Sequence, residues 1–265
     1  MDEQLRSAGI LRRAVLCIAL VFLLVPPLCA AVFGFTLPGR GVSLTPLAEA
    51  FENPRAMTGI INSLLLTLLS TVGMLVLLVP TLIALHLKGG PLLRWAEALS
   101  VLPLVIPAIA LVSGASIIFR TVFPAAMNSV FSLIPLYMVI SLPLCYRTLD
   151  AGVRALDLRT LFAASISLGA GHLQTLLRVV LPNLRVAMLS ASLICIAMLL
   201  SEYALASLLL HYTFPVFLVE VGQTSPRASA ALSFLMTMVM WVLLMALSAI
   251  SGRGQRSSTT ARSTS

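Results

Sequence analysis

Apolar residues gather into six long runs separated by short polar stretches. The first, Ala14 to about Phe35, follows a basic start containing Arg6, Arg12 and Arg13. About 20 residues is crossing length rather than the length of a cleaved signal's apolar region, so the pattern predicts a retained first helix. The second run, Ile60 to Leu87, opens on Asn62-Ser63 and contains Gly73 and Pro80, which predicts a tilted or kinked span. The third, about Ala98 to Phe119, holds Pro103 and Pro107; the fourth, about Val130 to Tyr146, holds Pro135 and Pro143. Prolines inside a span free carbonyls that neighbours or a water-lined cavity must satisfy. The fifth runs from about Leu184 to Leu210 and is threaded by small residues such as Ala187, Ser190, Ala191 and Ala197, which let helices approach closely in a bilayer. The sixth is about Ala228 to Ile250. Between the first two runs, Gly39 to Pro54 predicts a short connection with one helical turn around Leu47 to Phe51.

The expected fold is therefore all-α: a polytopic integral membrane protein with six transmembrane helices. Residues 1–13 form an N-terminal segment, 14–250 the membrane domain, and 251–265 a polar, low-complexity tail expected to be disordered. Composition agrees. Of 265 residues, 59% are hydrophobic and 10% charged, and the mean hydropathy of +1.05 excludes an ordinary soluble protein.

In such a chain the +8 net charge speaks to orientation rather than to nucleic acid, and no nucleic-acid partner is expected. Six spans put both ends on one side. That side carries thirteen Lys and Arg residues (Arg6, Arg12, Arg13, Lys88, Arg94, Arg147, Arg154, Arg159, Arg178, Arg185, Arg253, Arg256 and Arg262). The other carries four, Arg40, Arg55, Arg120 and Arg227. The bias places both termini and the 150–183 loop in the cytoplasm.

Enzyme chemistry finds no foothold. The sequence has no G-x-x-x-x-G-K-[ST], no HExxH, no GxSxG and only nine acidic residues. Cys17, Cys29, Cys145 and Cys195 stand singly in or beside apolar runs, which predicts free, buried thiols and neither disulfide nor metal site. If this protein drives active transport, the energy enters through another polypeptide.

The polar stretch Arg154 to Pro182 is where partner chemistry concentrates. Leu158, Leu161, Phe162 and Ile166 recur at helical spacing behind Asp157, an N-cap residue. Gly169 ends that piece, where a left-handed terminus is expected. A second stripe, Leu173, Leu176, Leu177, Val180 and Leu181, faces away from His172, Gln174, Thr175 and Arg178, and Pro182 is expected to open the next helix.

Here Ala163-Ala164-Ser165, then Ile166-Ser167-Leu168, Gly169-Ala170 and, twelve residues after Gly169, Leu181-Pro182 resemble the EAA signature of binding-protein-dependent ABC importer permeases. The family's leading glutamate is Ala163 in this chain and its second alanine is Ser165. The resemblance implies a type I ABC importer permease of the spermidine/putrescine-like group. It implies a coupling helix seated on a cytoplasmic ATP-binding subunit, which would bind ATP and Mg; this chain would hold no cofactor. It further implies a second permease, identical or homologous, an extracytoplasmic solute-binding protein, and a bacterial cytoplasmic (inner) membrane.

Glu202, in MLLSEYALASLLL, is the ionisable residue expected inside a span. At about 1.5 Å per residue it lies about 30 Å from Pro182, near the outer edge of the hydrocarbon. Two readings stand: a carboxylate reaching the interface with Tyr203 as a belt aromatic, or a residue of the translocation pathway. Ser201-Glu202-Tyr203 also resembles the Gly-acid-aromatic element of permeases for polyamines, ferric iron and phosphonates. Asn62-Ser63 resembles the Asn-Ser pair that opens the corresponding family helix, while the pair alone reads as an N-cap. His86, His172 and His211 stand alone at boundaries and read as interfacial residues. The substrate expectation is a small solute, polyamine-like, with ferric iron or phosphonate as alternatives. An ion-gradient-driven secondary transporter is the rival class. It would call for several membrane carboxylates and an inverted repeat, and the sequence has neither. A membrane scaffold would not need the prolines inside these spans.

Overall fold

The first apolar run forms α1 (Asp2–Phe35), with Pro26 and Pro27 inside it. This computed structural model describes residues 2–37, 39 and 41–262, and the side chains within residues 12–246 of these. After α1 a two-residue hairpin pairs β1 (Thr36–Leu37) with β2 (Gly41–Val42), Thr36 opposite Val42. The connection then holds α2 (Thr45–Glu52), two turns rather than the single turn expected.

The second run is one unbroken helix, α3 (Pro54–Lys88), with Pro80 inside it. The third is not a straight span. α4 (Pro91–Val101) leads through a 3-10 turn, Leu102–Leu104, and α5 (Ala108–Val122) leaves at 103° to the first limb. The expected helix over 98–119 is thus two limbs. Pro107 explains the corner: its extended conformation (φ −61°, ψ 143°) makes it the N-cap of α5, and its ring withholds the N–H that would continue α4. Two 3-10 turns, Pro124–Asn128 and Val130–Ser132, lead into α6 (Leu133–Arg154), which includes Pro143 and outlasts the expected fourth span.

Next come α7 (Leu158–Ser167) and α8 (His172–Thr175), a π-turn over Leu176–Val180, and α9 (Leu181–Leu200). Pro182 stands in the first turn of α9, as expected, although α8, the π-turn and α9 run on as one rod, His172–Leu200. It sits two residues beyond a widened turn. The proline cannot donate to the carbonyl four residues back and its ring crowds that group, and the π-turn relieves both. Asn183 Nδ2 donates to Val179 O (2.7 Å) within this irregular stretch. The chain finishes with α10 (Ala204–Leu208), α11 (Phe214–Thr224) and α12 (Pro226–Arg262). α12 carries helix over 251–262, where disorder was expected; the side chains there and residues 263–265 lie outside the described residues.

Among the described residues, five helices are long and apolar enough to cross a membrane, six if the bent α4–α5 pair counts as one, and the protein is a polytopic all-α membrane protein. Its residues divide into two units. In residues 58–216, Leu66, Leu82, Leu133, Leu149, Leu184 and Leu199 pack a core shared by α3, α6 and α9. α6 and α9 come close at Gly152, where a Cβ would lie 2.3 Å from that of Ala187. Only glycine lets α6 and α9 meet there. Cys145 and Cys195 are free and buried in this core, as expected, whereas Cys17 and Cys29 on α1 are free and exposed. Within residues 1–57 and 217–241, Gly34 lies against Ala231, where a Cβ would come within 2.5 Å of the backbone N. Phe35 meets Phe234 edge-on, with ring centroids 6.1 Å apart.

Candidate functional site

The segment 155–182 is built from two caps. Asp157 Oδ1 accepts from Thr160 N (3.2 Å) and Oδ2 from Thr160 Oγ1 (2.6 Å), closing the N-terminus of α7. The hydroxyl bond, then the amide bond, hold this carboxyl below its ordinary range. At the other end Gly169 has φ +85°. Gly169 N donates to Ile166 O (2.8 Å) and Ala170 N to Ser165 O (3.1 Å). These are the paired bonds of a Schellman cap, which needs a left-handed residue at that point. Buried Thr175 then donates to Ser165 Oγ (2.8 Å), tying the two halves of the segment together.

Ala163, Ala164, Ser167 and Leu168 are exposed on or just after α7, while Leu181 is half-buried and Pro182 exposed on the rod leading into the membrane. Four apolar side chains around the Gly169 turn point outward: Ile166 is 44% exposed, Leu168 89%, Leu173 68% and Leu177 54%. Exposed apolar side chains grouped at a polar turn mark a surface made to be covered.

Beside this segment lies an ionic cluster that sequence reasoning missed. Asp150, nearly buried near the end of α6, accepts from Arg154 Nε (2.6 Å) and pairs with His86 Nε2 (2.7 Å) at the end of α3. Arg154 also reaches Glu97 of α4 (3.2 Å). His86 is therefore not solitary, contrary to expectation. The four-residue spacing of Asp150 and Arg154 was the available signal.

The fifth run breaks where a continuous helix was expected. α9 stops at Leu200, and Ser201, Glu202 and Tyr203 lie between it and α10. Glu202 thus occupies a helix break rather than a helix face. Its Oε1 accepts from Leu205 N (3.0 Å), capping α10. Ser201 Oγ donates back to Met198 O (3.0 Å), and Tyr203 is exposed. Two residues beyond α10, Leu210 is in the left-handed region (φ +58°) and 93% exposed.

Asn62 and Ser63 lie more than two turns inside α3, so they cap nothing at its start. They hold the other end of this irregular stretch: Asn62 Nδ2 donates to Tyr212 O (2.8 Å), and Ser63 Oγ accepts from Phe214 N (2.8 Å). His211 is held as well, with Nε2 2.9 Å from Ser132 Oγ, and burial lowers its pKa. Below Ser63, α3 continues a buried polar face through Thr67 and Ser70. Their hydroxyls have no hydrogen-bond partner among the described residues. The structure thus brings Asn62 and Ser63 to the segment that follows Glu202, and keeps residues 163–182 apart as a separate surface.

No protein-family profile matches the chain. It is similar to the Fe(3+)-transport system permease protein FbpB 2 of Haemophilus influenzae, 29% identical over 231 residues. The match covers 85% of this chain and 44% of that protein, so the chain spans less than half the length of the curated relative it matches.

Proposed function

We propose that this chain is a permease subunit of a binding-protein-dependent ABC importer of the bacterial cytoplasmic membrane. In this reading both termini and the 150–183 loop face the cytoplasm. The observation that carries it is the exposed apolar group Ile166, Leu168, Leu173 and Leu177 around the left-handed Gly169 turn. A short amphipathic helix with such a face fits a groove on a partner. The rod His172–Leu200 would carry a push on that face directly into the membrane. The partner is an ATP-binding subunit that supplies the hydrolysis, with ATP and Mg bound there. A second permease and an extracytoplasmic solute-binding protein complete the assembly. The similarity to an Fe(3+)-transport permease supports the same reading and moves ferric iron ahead of a polyamine as the first solute to test.

The test is reconstitution. The chain, the second permease, the ATPase and the binding protein in proteoliposomes should take up radioactive ferric iron only with ATP. ATP-independent uptake driven by an ion gradient would favour the secondary-transporter class instead.

A further inference from the structure

Two broken spans meet in residues 58–216: α5, the second limb of the third span, and α10, beyond the break in the fifth. Between them lies an open groove of about 420 Å³. Its walls are Ser113, Ser116, Ile117 and Arg120 of α5 and Leu208 of α10. Ser113, Ser116 and Arg120 lie three and four residues apart, so they share one helical face. Irregular backbone at membrane depth is tolerated where it lines a cavity, and discontinuous helices are where transporters place their sites.

The charge of this groove is positive. Arg120 is its charged lining residue, is exposed, and forms no ion pair among the described residues. Glu202, read from the sequence as an interfacial or a pathway residue, is committed to the Leu205 amide at the head of α10. The Ser113 proton is taken by Ile109 O (2.8 Å), which leaves Arg120 and Ser116 as the donors facing the groove. A planar guanidinium with its fork of N–H groups suits carboxylate and phosphate oxygens and repels a bare cation.

We propose that this groove accepts an oxyanion group carried by the transported solute: a carboxylate or phosphate, or such a group chelating a metal. The word "transported" rests on the importer reading; the sign and selectivity of the groove do not. A ferric ion would pass it as an anionic chelate rather than as the naked cation.

The test reads the local potential without any uptake. Full-length chain carrying Ser116→Cys, with Cys17 and Cys29 replaced by Ser, is placed in phosphatidylcholine vesicles. Its thiol is reacted with an anionic (sulfonatoethyl) and a cationic (trimethylammonium-ethyl) methanethiosulfonate. The anionic-to-cationic rate ratio should fall about fivefold when Arg120→Gln is added, as expected for one charge a few ångströms away. Citrate should slow a neutral thiol reagent several-fold against chloride of equal ionic strength, and should lose that effect in Arg120→Gln. A ratio indifferent to Arg120 would overturn the proposal, leaving an interfacial side chain. A ratio that responds while citrate gives no protection would overturn it too, since the charge then binds nothing. Protection by phosphatidylglycerol but never by citrate would also overturn it by assigning the groove to a lipid headgroup. Each of these failures leaves ATP-dependent uptake standing, and failure of uptake leaves the labelling result readable.

Discussion

Glu202 Oε1 sits 3.0 Å from the Leu205 amide, so this carboxylate caps a helix instead of facing outward from one. A glutamine oxygen can accept the same bond. Glu202→Gln should therefore change uptake by less than about twofold, whereas Glu202→Ala should loosen α10 by about 1 kcal/mol, the usual cost of a lost cap. Hydrogen exchange over 204–210 in the two variants separates them.

Gly169 is left-handed with no atom near the place of a Cβ, so any penalty there comes from the backbone alone. Gly169→Val should cost about 1–2 kcal/mol and re-aim the 170–176 turn; Gly169→Asn, a residue that visits this region, should cost less. Permease-stimulated ATP hydrolysis should fall in the order Gly, Asn, Val while membrane insertion holds. Equal stimulation in all three would separate the turn from coupling.

Asp150 of α6 ties in the end of α3 through His86 and, through Arg154, Glu97 of α4. Asp150→Ala strips the partner from two donors and should cost about 2 kcal/mol, seen as a lower thermal midpoint, with Asp150→Asn intermediate. His86→Ala should lose less because the Arg154 bond remains.

Gly152→Ala would drive a methyl group into Ala187 and part α6 from α9, at a cost of about 1–3 kcal/mol. The double change Gly152→Ala with Ala187→Gly should recover most of the loss. A thermal scan of the four variants forms the cycle.

His211 supplies a pH dependence. Burial lowers its pKa in the folded protein, so the unfolded chain binds the proton more readily. Its contribution is fully present above the ordinary imidazole value and is lost as pH falls through the folded one. Exchange over 204–214 should therefore quicken as pH drops below about 6.5, after correction for the intrinsic rate, and His211→Gln should abolish that trend.

The helices were legible because a bilayer demands long apolar runs, and the Gly169 turn because only glycine is at ease there. The breaks were not. Pro80 and Pro143 stay inside continuous helices while Pro107 turns a corner, although all three stood in apolar runs. Ser201-Glu202-Tyr203 contains neither glycine nor proline, so nothing local announced that α9 ends there. The role of Asn62 and Ser63 depends on partners about 150 residues away, and composition cannot encode that pairing.

The central claim is that the Gly169 turn docks on an ATPase, and Leu168, 89% exposed beside it, reports on this directly. A photo-crosslinking amino acid placed at position 168 should, in native membranes, yield one adduct whose partner peptides come from a P-loop ATPase. The same probe at Val239, exposed on α12, should yield none. Adducts at 168 confined to lipid or to other membrane chains would contradict the coupling assignment.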